Sequence, residues 1–151
     1  MFIDETGIDE YLQRDYARAA RGKQVTSDVY GRKYGRTSVI AAWLPHSKEM
    51  IAPYVFGGYT DSERFNSWLE KCLLPCLKKG QVIIMDNASF HKSKRTKELI
   101  ESVGCGLLFQ PAYSPDLNPI EQQWAVLKAR FRKYKHLFNS FAEAVDYALC
   151  M

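Results

Sequence analysis

The sequence predicts an α/β fold, a mixed five-stranded sheet flanked by helices. Three observations carry this. The first 60 residues hold β-branched and aromatic runs separated by tight turns, the signature of an antiparallel meander. Beyond them, segments with helical spacing alternate with short continuous apolar runs. At 151 residues and 46% hydrophobic content, the chain has the size of one domain with one core.

Residues 1–8 read as a short strand. Residues 37–44 (TSVIAAWL) and 50–56 (MIAPYVF) read as two more, split by the turn-forming Pro45-His46-Ser47. Thr60-Asp61-Ser62-Glu63 is a capping-box pattern. Phe65, Trp68, Leu69, Cys72, Leu73, Cys76 and Leu77 follow at helical spacing up to Gly80, with a bend predicted at Pro75. Residues 82–85 (VIIM) form a continuous apolar run suited to a strand covered on both faces. Residues 94–103 predict a helix closed by Gly104, and residues 106–109 (GLLF) another buried strand. In Asn118-Pro119-Ile120-Glu121, an N-cap residue precedes proline at the first helical position and an acid at the third. Ile120, Trp124, Leu127 and Phe131 mark the buried stripe of that helix. A last helix starts at Ser140, with Glu143 completing a second capping box. Three strands followed by alternating helices and strands, with no internal repeat or low-complexity linker, match the ribonuclease H-like arrangement.

The longest apolar stretches fall far short of the roughly 20 residues that span a bilayer, and no signal-peptide pattern opens the chain. A soluble, unexported, cytoplasmic protein is expected. The four cysteines, Cys72, Cys76, Cys105 and Cys150, form no spaced pair of pairs. Cys72 and Cys76 share a helix face, yet nothing at matching spacing completes a zinc site, and buried free thiols are the expectation.

Net charge is +4 but uneven. Residues 11–36 carry seven basic groups (Arg14, Arg18, Arg21, Lys23, Arg32, Lys33, Arg36) against Asp15 and Asp28, and residues 128–135 carry five with no acid. Any one cluster could be an ordinary solvated face. Two of them flanking an acidic site point toward a phosphate backbone, with Arg18, Arg21, Lys23, Arg32, Lys33, Arg36, Lys92 and Lys128 as candidate DNA contacts.

That acidic site is the central functional feature. Asp4 interrupts the first strand, where a carboxylate is costly to bury unless a partner neutralises it. A metal ion is one such partner, and an edge-of-strand turn with Thr6 and Gly7 is an equal alternative. Asp86 ends the strongest buried strand, where open α/β sheets place their sites; an Asx turn is the competing role. Glu121 stands in the first turn of a helix and could simply cap it. Singly, none decides. With 81 residues between the first two acids and 34 between the second and third, a fold is needed to unite them. Three hard oxygen ligands without a cysteine cluster suit Mg²⁺ or Mn²⁺, two of which can drive in-line displacement at phosphorus.

The blocks MFIDETG, IIMDNASFHKS and PAYSPDLNPIEQQWAVLK closely resemble the three catalytic blocks of DDE transposases of the mariner superfamily, in particular its bacterial insertion-sequence branch. The 34-residue spacing of the last two acids is that family's own, and the resemblance spans essentially the whole chain. It implies a ribonuclease H-like domain over residues 1–151. In it, Asp4 bridges two Mg²⁺ or Mn²⁺ ions while Asp86 and Glu121 each hold one. It also implies cleavage at inverted terminal repeats, joining of 3′ ends to a TA target in double-stranded DNA, and a homodimer in the active complex. Asn87 and His91 match the second block as second-layer or DNA-facing groups, and a satisfied loop histidine is the favoured alternative for His91. Tyr113, Ser114, Pro115, Asn118 and Pro119 are expected to shape the turn presenting Glu121. Family members carry a helix-turn-helix region ahead of the catalytic domain, and none is expected in this chain. A catalytically inert remnant that binds DNA or partner subunits is the competing reading. A cellular ribonuclease H-like nuclease is a third, disfavoured by the YSPDLNPIE block.

Overall fold

A computed structural model describes residues 1–9, 36–111 and 117–151. Arg14, Arg18, Arg21, Lys23, Arg32 and Lys33 of the first basic cluster, and Tyr113, Ser114 and Pro115, lie outside them. Among the described residues no helix is long and apolar enough to cross a membrane.

Among the described residues five strands build one sheet: β1 (Phe2–Asp9), β2 (Arg36–Leu44), β3 (Glu49–Gly57), β4 (Val82–Met85) and β5 (Gly106–Phe109). Their order is β3-β2-β1-β4-β5. The first three form an antiparallel meander, while β4 joins β1 and β5 joins β4 in parallel. This is the ribonuclease H-like arrangement. Strand alternation divides the core in two. Ile3, Ile40, Ala42, Ile83 and Met85 pack with Phe65, Trp68, Leu99 and Ile100 of α1 (Ser62–Trp68) and α2 (Lys94–Ser102) on one face. Ile8, Val39, Ala41 and Trp43 pack on the other against α3 (Ile120–Tyr134) and α4 (Phe141–Cys150). All four residues of the stripe expected on α3 are buried there.

Several local expectations change. The first helix is α-helical only to Trp68, widens into a π turn over Leu69–Leu73 and tightens into a 3₁₀ turn over Leu74–Cys76. Pro75 has no N–H to return to the preceding turn and its ring crowds that turn, so the chain cannot keep α geometry. Asp61, rather than Thr60, caps α1 by accepting from the Arg64 N–H at 2.8 Å. Neither Asn118 nor Ser140 caps through its side chain, and α3 starts at Ile120 after Pro119. β5 is an edge strand, so Leu108 is 55% exposed, and Val82 at the open end of β4 is 47% exposed. All four thiols are free, but only Cys105 is buried. Pro53 sits in edge strand β3 beside a bulge, where Ala52 adopts φ 51 and its carbonyl accepts the Trp68 indole N–H at 2.8 Å.

Candidate active site

Asp4 lies inside β1 with alternation pointing it to the face of Ile8 and α3, and it is only 7% exposed. The indole N–H of Trp124 donates to Asp4 Oδ2 at 3.1 Å. Burial is the main force lifting the Asp4 pKa, to about 7. The charges of Glu5 and Glu121 push the same way, against hydrogen bonds from the Glu5 backbone and Trp124. Glu121, exposed in the first turn of α3, precedes Trp124 by three residues, the spacing of helical neighbours. Its carboxylate is therefore on the same side of the sheet as Asp4.

Asp86 follows the last residue of β4. Because Phe2 stands beside Ile84 in the parallel pair, Asp4 and Asp86 each lie two residues farther along neighbouring strands, at the carboxyl end of β4. Asp86 Oδ1 accepts the Ala88 N–H at 2.9 Å and the His91 Nδ1–H at 2.7 Å. The His91 hydrogen bond leads in holding the Asp86 pKa below its ordinary value, against burial and with help from Ala88 and the Lys92 charge.

His91 is fully buried on a 3₁₀ turn (Ser89–Lys92), and its Nε2 donates to Glu5 Oε1 at 2.9 Å. Carboxylates only accept, so both ring nitrogens carry protons. Burial opposes that charge, but the bonds to Asp86 and Glu5 outweigh it and raise the His91 pKa to about 9. Glu5 received no role in the sequence reading, although a second charge inside a strand was a visible signal.

The segments bearing the acids are stitched together. The Asn87 side-chain amide donates to the Gln110 carbonyl, the Gln110 N–H to the Met85 carbonyl at 2.8 Å, and the Gln110 side chain to the Leu117 carbonyl at 3.0 Å. Among the described residues, Asn118 Oδ1 is buried without a partner. Of the basic candidates, Lys92 is exposed beside Asp86 and Lys128 is half-buried on α3. The Arg36 guanidinium lies over the Tyr59 ring at 4.8 Å, with Nε buried and, among the described residues, unpartnered. Gly7 makes room for it, since a Cβ there would meet the guanidinium at 2.3 Å.

Among the described residues no three His, Cys, Asp or Glu side chains are gathered tightly enough to hold an ion by themselves. The donor chemistry nevertheless fits a hard cation, because Asp4 is a buried carboxyl group with two like charges, Glu5 and Glu121, close enough to raise its pKa.

Residues 1–144 match the family described as DDE superfamily endonuclease. The chain belongs to that family. This DDE family member is 48% identical over 42 residues to the Tc3 transposable-element transposase of Caenorhabditis elegans, a match covering 28% of the chain and 13% of the relative. Its fold is similar to that of Mos1 transposase in a strand transfer complex (TM-score 0.68, 21% identity, 98% of this chain and 45% of the other). It also resembles the Mos1 mariner paired-end complex with Mn (TM-score 0.65, 19% identity, 97% and 45%). The catalytic core domain of BIV integrase is similar too (TM-score 0.53, 15% identity, 76% and 72%). The DDE chain thus spans less than half the length of Mos1 transposase.

Proposed function

We propose that this chain is the catalytic core of a transposase, a Mg²⁺-dependent DNA endonuclease and polynucleotidyl transferase acting at the ends of a bacterial insertion sequence. The observation that carries the reading is Asp4: a buried carboxyl group whose pKa is raised by burial and by the neighbouring charges of Glu5 and Glu121, on the strand beside the one that ends at Asp86. In this reading Asp4, Asp86 and Glu121 are the catalytic acids and hold two Mg²⁺ or Mn²⁺ ions. Ions held by these three residues would supply activation of an attacking water or 3′-hydroxyl and charge stabilisation of the leaving oxygen at phosphorus. The protein's own share is to hold the acids still. Trp124 fixes one oxygen of Asp4, and the turn from Asp86 to His91 fixes one oxygen of Asp86. Arg36, Lys92 and Lys128 draw the phosphate backbone of double-stranded DNA, joined by Arg18, Arg21, Lys23, Arg32 and Lys33. The Mos1 complexes support a transposon-end substrate, a homodimer in the active assembly is part of the proposal, and residues 1–151 act as one catalytic domain.

The test is incubation of the purified chain with a labelled terminal-repeat duplex, with and without Mg²⁺ or Mn²⁺. Metal-dependent nicking is expected in the native chain and loss of at least about 100-fold in Asp4→Asn and Asp86→Asn, as for groups acting directly on the reaction. DNA binding with no nicking under any metal condition favours the inert-remnant alternative. Nicking that survives Asp86→Asn removes that residue from the assignment.

A further inference from the structure

The turn after β4 closes on one oxygen of Asp86. Within six residues, the Ala88 N–H and the His91 Nδ1–H both donate to Asp86 Oδ1, while the His91 N–H donates to the Ala88 carbonyl at 3.1 Å. Among the described residues Oδ2 has no such bond. The other ring nitrogen of His91 reaches 86 residues back along the chain to Glu5. Glu5 follows Asp4 directly and, by strand alternation, faces the opposite side of β1. Phe65 and Phe90 hold the imidazole in a fixed pocket, with ring centroids 4.5 and 4.4 Å from it.

We infer that His91, anchored by Glu5, is a positioning residue that locks Asp86 to the strand carrying Asp4 and leaves Asp86 Oδ2 as the oxygen offered to a metal ion. The inference rests on the metal-dependent reading above. Packing alone does not account for the arrangement. A Phe or Leu would fill an aromatic pocket without burying a histidine between two carboxylates, and replacing buried ionic groups by apolar ones of similar volume often leaves stability unchanged or higher. What an apolar residue cannot supply is a directed bond at each end. The bonds from His91 to Glu5 and Asp86 set the relation of two carboxylates that come from separate strands.

The experiment is Mn²⁺ titration followed by electron paramagnetic resonance, beside thermal melts in EDTA, on native protein, His91→Phe, Glu5→Leu, Glu5→Gln, Phe65→Leu and Asp4→Asn. His91→Phe and Glu5→Leu are expected to fold and to bind Mn²⁺ about 10- to 100-fold more weakly, the usual effect of losing a group that orients a ligand. Glu5→Gln keeps an acceptor for His91 Nε2 and should recover most of the affinity. Phe65→Leu loosens the same pocket without touching either bond, so it should lower the melting temperature and leave Mn²⁺ affinity alone. Native affinity in folded His91→Phe and Glu5→Leu overturns the inference; if His91→Phe does not fold, the comparison of Glu5→Leu with Glu5→Gln decides it. A native chain whose Mn²⁺ binding matches that of Asp4→Asn instead removes the metal reading itself, a failure seen in different samples.

Discussion

Asp4 and His91 are each held in a protonation state that water would not choose, and that ties stability to pH. A group that keeps its proton when folded but not when unfolded loses stability as pH rises between the two pKa values. For Asp4 those values are 3.8 and about 7, and for His91 they are 6.5 and about 9. Both therefore weaken the metal-free fold as pH climbs, Asp4 first. Asp86, whose pKa is lowered, contributes stability that is lost only as pH falls through its folded value. Melts in EDTA should give the highest melting temperature in mildly acidic buffer. Asp4→Asn should flatten the decline below pH 7 while leaving the one due to His91. A native melting temperature that climbs steadily from pH 4 to 7 contradicts the burial of Asp4. At this scale the sequence singled out the three acids as candidates because each sits in a distinctive block. A second charge inside the strand marked Glu5 as unusual, but its partner did not show, because the bond to His91 depends on how β4 returns alongside β1.

At the scale of elements, hydrophobic periodicity placed all five strands, β4 and β5 to the residue and the others within one. The alternation or apolar run that marks a strand is also what buries it. End effects were less readable. Pro75 could be expected to disturb its helix, but whether the disturbance is a bend or a change to π and 3₁₀ turns depends on how Leu69 and Leu73 pack into the core. The exposure of β5 likewise follows from its place at the sheet edge, which sequence alone does not state. Ala52 gives an element-scale test. Its left-handed backbone opens the bulge that turns its carbonyl to Trp68. Ala52→Val, a substitution that strand propensity favours, should destabilise by about 1–2 kcal/mol because a β-branched side chain resists positive φ. Urea denaturation measures it, and an unchanged or raised midpoint means the bulge carries no strain.

Across the whole molecule, the proposed DNA-cleaving reading requires acidic and basic side chains to act on one polymer. The parallel return of β4 beside β1 and the docking of α3 on the same face bring acidic side chains to the carboxyl end of β4, where they repel phosphate. Lys92 and Lys128 lie on the segments that follow Asp86 and Glu121, and the excess of positive charge over the whole chain is +4. Binding to duplex DNA should then have two separable parts. The basic part is counterion release: affinity falls linearly on a logarithmic salt axis, and each lost phosphate contact reduces the slope by about 1. Lys92→Gln and Lys128→Gln should each show that reduction, equally for duplexes of unrelated sequence. The acidic part is repulsion that a divalent ion cancels, so adding Ca²⁺, a hard cation able to occupy oxygen sites, should tighten binding in the native chain. The gain should shrink in Asp4→Asn, which lacks one of the carboxylates proposed to hold the ion. Fluorescence anisotropy over 50 to 200 mM KCl, a range in which salt effects of this kind are large, reads both parts. A slope unaltered by either lysine substitution removes those residues from the DNA surface. A Ca²⁺ effect of equal size in native chain and Asp4→Asn places the ion away from the acids, and with it the site of phosphate chemistry.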